Sequence, residues 1–178
     1  MSKKEAKGTV KEYPNRLYHA IPPWVEDRSV FHIRLRAEKD SLVEPAERAH
    51  GILVSVEQYS NMHKWMHKLA VLMPDHLHAL LVFRKDIGMS ETVRGWKRFL
   101  ARKYGITWQD GFFDHRIRNE SEYVEKAGYI RMNPVRAGLV HEPEEWPWAL
   151  VPMEGVDAVV PNRVSAKKGG ALGTTRAT

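Results

Sequence analysis

Apolar positions along the middle of the chain switch between two periods, and each switch marks an element. Ser29–Arg36 (SVFHIRLR) alternates, with Phe31, Ile33 and Leu35 on one side and Val30, His32, Arg34 and Arg36 on the other. That pattern predicts a half-buried strand. From Pro45 to about Tyr59, Ile52, Leu53, Val56 and Tyr59 fall at helical spacing, with proline near the first turn. His67–Met73 and His76–Phe83 are apolar runs split by Pro74-Asp75, which predicts a hairpin at the centre of a sheet. Ser90 is the expected cap of a helix from Glu91 to about Tyr104, ended by Gly105. Phe112–Arg118 reads as another strand. Asn119 then caps a helix from Glu120 to about Asn133, stopped by Pro134, with another short helical turn in VRAGLV. The order β-α-β-β-α-β-α suits an α+β fold, a ferredoxin-like plait with a mostly antiparallel central sheet and helices packed on it.

Length and charge refine this picture. The 178 residues fit one domain over 17–150, flanked by a basic N-terminal arm over 1–16 and a flexible C-terminal tail over 151–178. The net charge of +6 resides in the ends, +3 over 1–16 and +4 over 161–178, so the domain is almost neutral. Between the two ends charge is segregated. Residues 84–103 carry +5, whereas Glu142, Glu144, Glu145, Glu154 and Asp157 meet no base over 142–157. Neither a membrane span nor a signal peptide is expected, and the reading is a cytoplasmic, nucleoid-associated protein. The chain has no cysteine, which excludes thiol catalysis and thiolate metal sites. Any metal centre has to be built from His, Asn or carboxylates.

His76 and His78 are the most informative pair. Positions i and i+2 of a strand share a face, so two imidazoles there can bind one divalent ion. The competing reading is a pair of core histidines with satisfied partners. Tyr129 and Asn133, at i and i+4 on the last helix, project from one face. Tyrosine can serve as a covalent nucleophile, with Tyr123 and Tyr104 as competitors for that role, and the Asn amide oxygen suits a hard ion such as Mg2+ or Mn2+. Arg94, Lys97, Arg98, Arg102 and Lys103 form a stripe suited to phosphates, or simply a solvated helix face. Arg34, Arg36, Arg116 and Arg118 are further DNA-binding candidates. Trp96, Trp108, Phe112 and Phe113 can stack bases or pack the core, and His115 is a candidate supporting residue.

The strings LMPDHLHALLVF, DGFFDHRIRNESEYVEKAGYIRMNPVRAGLV and WPWAL resemble the REP-associated tyrosine transposases, of the HUH single-tyrosine transposase superfamily. The resemblance runs from about Tyr18 to Leu150. It implies a metal-dependent endonuclease and strand transferase acting on single-stranded DNA at hairpin-flanked sites, through a 5′-phosphotyrosine. It also implies His76 and His78 as metal ligands and Tyr129 as nucleophile. Asn133 stands where relatives place a polar third ligand, often Gln, one methylene longer. The basic arm is implied to follow the strand or read a short recognition sequence. The resemblance leaves open a monomer or a homodimer, with the Tyr129 helix placed in cis or in trans. The rival readings are a domesticated, non-cleaving regulator that binds hairpin DNA and an unrelated plait with structural histidines.

Overall fold

A computed structural model of the chain describes residues 28–38 and 41–151. The arm over 1–16 lies outside the described residues, as does the tail over 151–178 apart from Val151. The elements are β1 (Val30–Arg36), α1 (Ala46–Asn61), β2 (Trp65–Leu72), β3 (His76–Phe83), α2 (Met89–Tyr104), β4 (Phe113–Arg116), α3 (Glu120–Arg131), the single turn α4 (Asn133–Arg136) and β5 (Ala149–Leu150). One antiparallel sheet has the order β4-β1-β3-β2-β5. With α1 and α2 as crossovers, its first four strands form the expected split βαβ plait. The edge strand β5 was not foreseen: two residues bound by WPW give no readable alternation.

The hairpin strands β2 and β3 are nearly all apolar because both faces of the sheet are covered. Phe31, Ile33, Leu35, Leu77, Ala79 and Leu81 point to one face and form the main core with Ile52 and Val56 of α1 and Val93, Trp96 and Leu100 of α2. On the opposite face Leu69, Val71, Met73 and Leu80 meet Ile130 of α3 and Trp146. Trp146 Nε1 donates to the Leu72 carbonyl at 2.9 Å, which fastens the returning chain to β2.

Helix ends depart from expectation in two places. The cap of α2 is Gly88, at φ 82°, not Ser90, which lies inside the helix. Thr92 donates from its backbone N–H (3.2 Å) and its Oγ1 (2.9 Å) to the Gly88 carbonyl, so the helix begins earlier. In the second departure, α3 ends at Arg131, and Asn133 opens α4, whose first turn accommodates Pro134. Asn119 caps α3 as expected, accepting from the Glu122 N–H at 2.9 Å.

A buried polar contact ties α1 to α2: Trp96 Nε1 donates to Ser55 Oγ at 2.8 Å, while that hydroxyl donates to the Ile52 carbonyl at 2.6 Å. Ser55→Ala leaves the indole N–H without an acceptor in a dry core and is expected to cost about 1–3 kcal/mol. Urea denaturation measures this; an unchanged midpoint would show that the contact contributes nothing.

Candidate functional site

The face of the sheet that α3 covers only in part carries a row of histidines. In the register, Arg34 of β1 lies opposite His78 on one side and Phe113 on the other, and His32 lies opposite His115. Alternation therefore puts His32, Arg34, Arg36, His76, His78, Phe113 and His115 on this face. Asp75 Oδ1 accepts from His76 Nδ1 at 2.6 Å. His76 Nε2 lies 3.1 Å from His78 Nε2, and His78 Nδ1 lies 2.8 Å from His32 Nε2. Arg36 closes the outer end, donating from Nε (3.1 Å) and Nη2 (2.7 Å) to Asp75 Oδ2. At the inner end His32 Nδ1 is buried without a partner.

His32 was missed as a site residue. Its alternation with Arg34 and Arg36 marks a solvent-facing position, yet it is 5% exposed, because neighbouring strands and α3 close over that end of the face. His78 is 3% exposed. Burial, followed by nearby positive charge, lowers the pKa of His78 to about 3 and that of His32 to about 4. At Asp75 burial raises the pKa, but hydrogen bonds from His76 and Arg36 outweigh it and hold the carboxyl below its usual range.

Tyr129 stands over this row. Its ring is 6.2 Å from that of His78 and nearly perpendicular to it, and the side chain is 41% exposed. The guanidinium of Arg136 is 4.9 Å and the ammonium of Lys126 5.4 Å from the ring centre. Both cations were legible only as spacing, three residues before Tyr129 and seven after. The competing tyrosines are elsewhere. Tyr104 packs against α1 in the main core, and Tyr123 is partly buried beside the second cluster. Asn133 Nδ2 donates to the carbonyls of Tyr129 (2.9 Å) and Ile130 (3.3 Å), so the residue closes the end of α3 and offers its carbonyl oxygen for any other contact.

Two imidazole nitrogens 3.1 Å apart suit adjacent ligands of one ion, since bonds near 2.1 Å at right-angled to tetrahedral geometry place ligands about 3.0–3.4 Å apart. The carboxylate behind His76 is a support that metal-binding histidines use to fix ring orientation, and the His32 imidazole occupies the corresponding place behind His78. Among the described residues no group of three or more His, Asp or Glu side chains is arranged to hold an ion.

The chain is 32% identical over 82 residues to a REP-associated tyrosine transposase of Escherichia coli K12, and 26% identical over 96 residues to a candidate member of that group from Haemophilus influenzae. Each match covers 44% of this chain, which spans about half the length of these curated relatives. A solved REP-associated tyrosine transposase bound to a REP hairpin superposes with a TM-score of 0.60, covering 85% of this chain and 94% of that one at 23% identity. The chain resembles the REP-associated tyrosine transposases. The structural likeness shows the shared α+β fold. No family model matches the chain.

The other candidate DNA contacts of the chain are dispersed. Arg94, Arg98, Arg102 and Lys103 are exposed on α2, in the layer on the far side of the sheet from the histidines. Lys97 donates to the carbonyls of Gln109 and Gly111, both at 2.7 Å, and braces that loop. Arg34 and Arg36 are on the histidine face, whereas Arg116 opposes Phe31 and points the other way. Arg118 is exposed beyond β4, its N–H donating to Glu122 Oε2 at 2.8 Å. His115 binds Glu122 Oε1 at 2.6 Å, joining β4 to the first turn of α3. Trp96 and Phe112 are core residues and Trp108 packs against that core; Phe113 is exposed. No helix among the described residues is long and apolar enough to cross a membrane.

The depressed histidine pKa values have a sign. Near pH 5 the unfolded chain protonates positions 32 and 78 while the folded chain does not, so stability is full above about pH 6.5 and falls as pH drops toward 4. Urea midpoints at pH 7.0, 5.5 and 4.5 are expected to fall steadily, with the slope reduced in a His32→Leu/His78→Leu variant. An equal slope in that variant would assign the acid sensitivity to other groups.

Proposed function

We propose that the chain is a metal-dependent endonuclease and strand transferase that cuts single-stranded DNA at hairpin-flanked sites and holds the cut end as a 5′-phosphotyrosine. One observation carries this reading: the Nε2 atoms of His76 and His78 converge to 3.1 Å, and the ring of Tyr129 in the same chain lies 6.2 Å from that of His78. The names of the E. coli relative and the hairpin-bound structure add support for DNA hairpins as the substrate class.

A divalent ion held there, Mg2+ or Mn2+, would neutralise charge on a phosphate oxygen and orient the phosphorus. His76 and His78 would ligate it, with Asn133 Oδ1 as the third candidate. Asp75 and His32 hold the two rings in place from behind. Tyr129 Oη attacks phosphorus in line as its phenolic proton passes to solvent, the bond to the 3′ oxygen breaks, and that oxygen leaves as a 3′-hydroxyl after taking a proton from solvent. Arg136 and Lys126 flank the ring and meet the charge of the phosphate as the bond forms. The phosphotyrosine keeps the bond energy, so another 3′-hydroxyl can reverse the attack and join a new end. A regulator that binds hairpins without cutting them would need neither the histidine pair nor the tyrosine, and their convergence on one face favours the enzyme.

The test is formation of a denaturation-resistant adduct between the protein and a 5′-phosphate on single-stranded hairpin DNA. It is expected with Mg2+ or Mn2+, absent with chelator and absent in Tyr129→Phe; an adduct at full yield in that variant would remove Tyr129 from the role. Replacing His32 by Phe takes away the partner of His78 Nδ1 and should weaken divalent-ion binding by about 10–100-fold. Calorimetric titration with Mn2+ reads this without DNA, and undiminished affinity would show that His32 is only packing.

A further inference from the structure

We propose that Phe113, together with Arg34, forms a stacking subsite for one unpaired nucleobase, on the β4 side of the histidine pair. The subsite rests on the reading of the chain as an enzyme acting on single-stranded DNA. Sheet register provides the placement. Phe113, Arg34 and His78 occupy one row across β4, β1 and β3, so the phenyl ring starts about 10 Å, two strand spacings, from His78 on the same face. A strand whose phosphate lies at His76 and His78 passes over Arg34 on its way to the ring.

The state of the two side chains supports a ligand rather than core packing. Phe113 is 43% exposed, whereas its neighbour Phe112 is 9% exposed and belongs to the main core. Among the described residues β4 is an edge strand, and no further strand of these residues covers the ring on its outer side. The phenyl is steadied from within, with the buried His32 ring edge-on at 5.5 Å and the Arg34 guanidinium 5.5 Å from its centre. Arg34 is itself exposed, and no carboxylate pairs with it among the described residues, in contrast to Arg36, Arg84 and Arg131, which are matched with Asp75, Asp86 and Glu144. An exposed aromatic ring beside an uncompensated guanidinium matches what a single strand presents, an unstacked base next to a phosphate. Isolated exposed aromatics are common on protein surfaces. This one is distinguished by its row, which leads directly to the histidines.

An abasic scan tests the subsite. Fluorescein-labelled single-stranded DNA with one hairpin and unpaired flanks is bound to the full chain in chelator, which prevents cutting, and single bases are removed in turn. Removal of one particular base is expected to weaken wild-type binding by about 5–150-fold, the range for loss of one base–aromatic stack. In Phe113→Ala that same removal should have no further effect, while Phe113→Trp restores the sensitivity. A profile in Phe113→Ala that still shows every wild-type loss overturns the subsite alone. Failure of the wild-type chain to bind the hairpin strand at all overturns both the subsite and the proposed function.

Discussion

The line of hydrogen bonds from Asp75 through His76 and His78 to His32 crosses a sheet whose two central strands are mainly apolar. Buried imidazoles without partners are costly, so each ring in this line constrains the next. For His76 Nε2 and His78 Nε2 both to present lone pairs, their protons must reside on Nδ1. His76 then donates to Asp75, a carboxylate braced by Arg36. His78 must donate to His32, which pushes the proton of His32 onto its buried, unpartnered Nδ1. The ligand-ready arrangement thus contains a buried N–H without an acceptor, at a cost of about 1–3 kcal/mol. Without an ion, His78 can donate from Nε2 to His76 and accept from His32, which leaves only a lone pair at that buried atom. Under the proposed function, ion binding and the tautomer of a residue on the neighbouring strand, two residues out of register, would therefore be one equilibrium.

This dependence also explains what the sequence disclosed. The plait was legible because hydrophobic period changes at every element boundary, and because His76–Phe83 is too apolar for anything but a central strand. His76 and His78 stood out as a candidate pair from chemistry and spacing, whereas only the family resemblance singled out Tyr129 from Tyr104 and Tyr123. His32 was not, since alternation assigned it to the same side as Arg34 and Arg36 and cannot tell that α3 closes one end of that side. Lys126 and Arg136 were hidden for a related reason: cations on a helix end resemble any solvated face until the ring they flank is placed. The cap of α2 was misplaced because Ser90 is the better capping side chain, whereas Gly88 supplies the positive φ that the incoming loop needs.

The two faces of the sheet divide stability from chemistry. The face under α1 and α2 holds most of the fully buried side chains, including Trp96 and Leu100. The other face gives up part of its apolar cover to make room for imidazoles, an exposed phenyl ring and the Tyr129 helix. The near-neutral charge of the domain fits that division. Positive charge is concentrated on the outer side of α2 and around Tyr129, so attraction for a polyanion is directional rather than general.

Helix α3 shows the consequence most clearly. Ile130 is its one fully buried residue, worth about 2 kcal/mol of burial. The rest of its position is set at its two ends. At the first turn Asn119 caps the helix and Glu122 binds both His115 and the Arg118 N–H. At the last, Asn133 closes the carbonyls and Arg131 pairs with Glu144 at 3.0 Å. Caps and partly exposed ion pairs contribute about 1 kcal/mol or less each. The helix carrying Tyr129 therefore belongs to the weakly held end of the structure, while β3, carrying His76 and His78, lies in its best-buried part. An attack on phosphorus requires the phenol oxygen to be positioned closely against a fixed phosphate. In the proposed reaction the fixed half of that geometry would come from the sheet, and the adjustable half would depend on polar contacts that a bound polyanion can strengthen or replace.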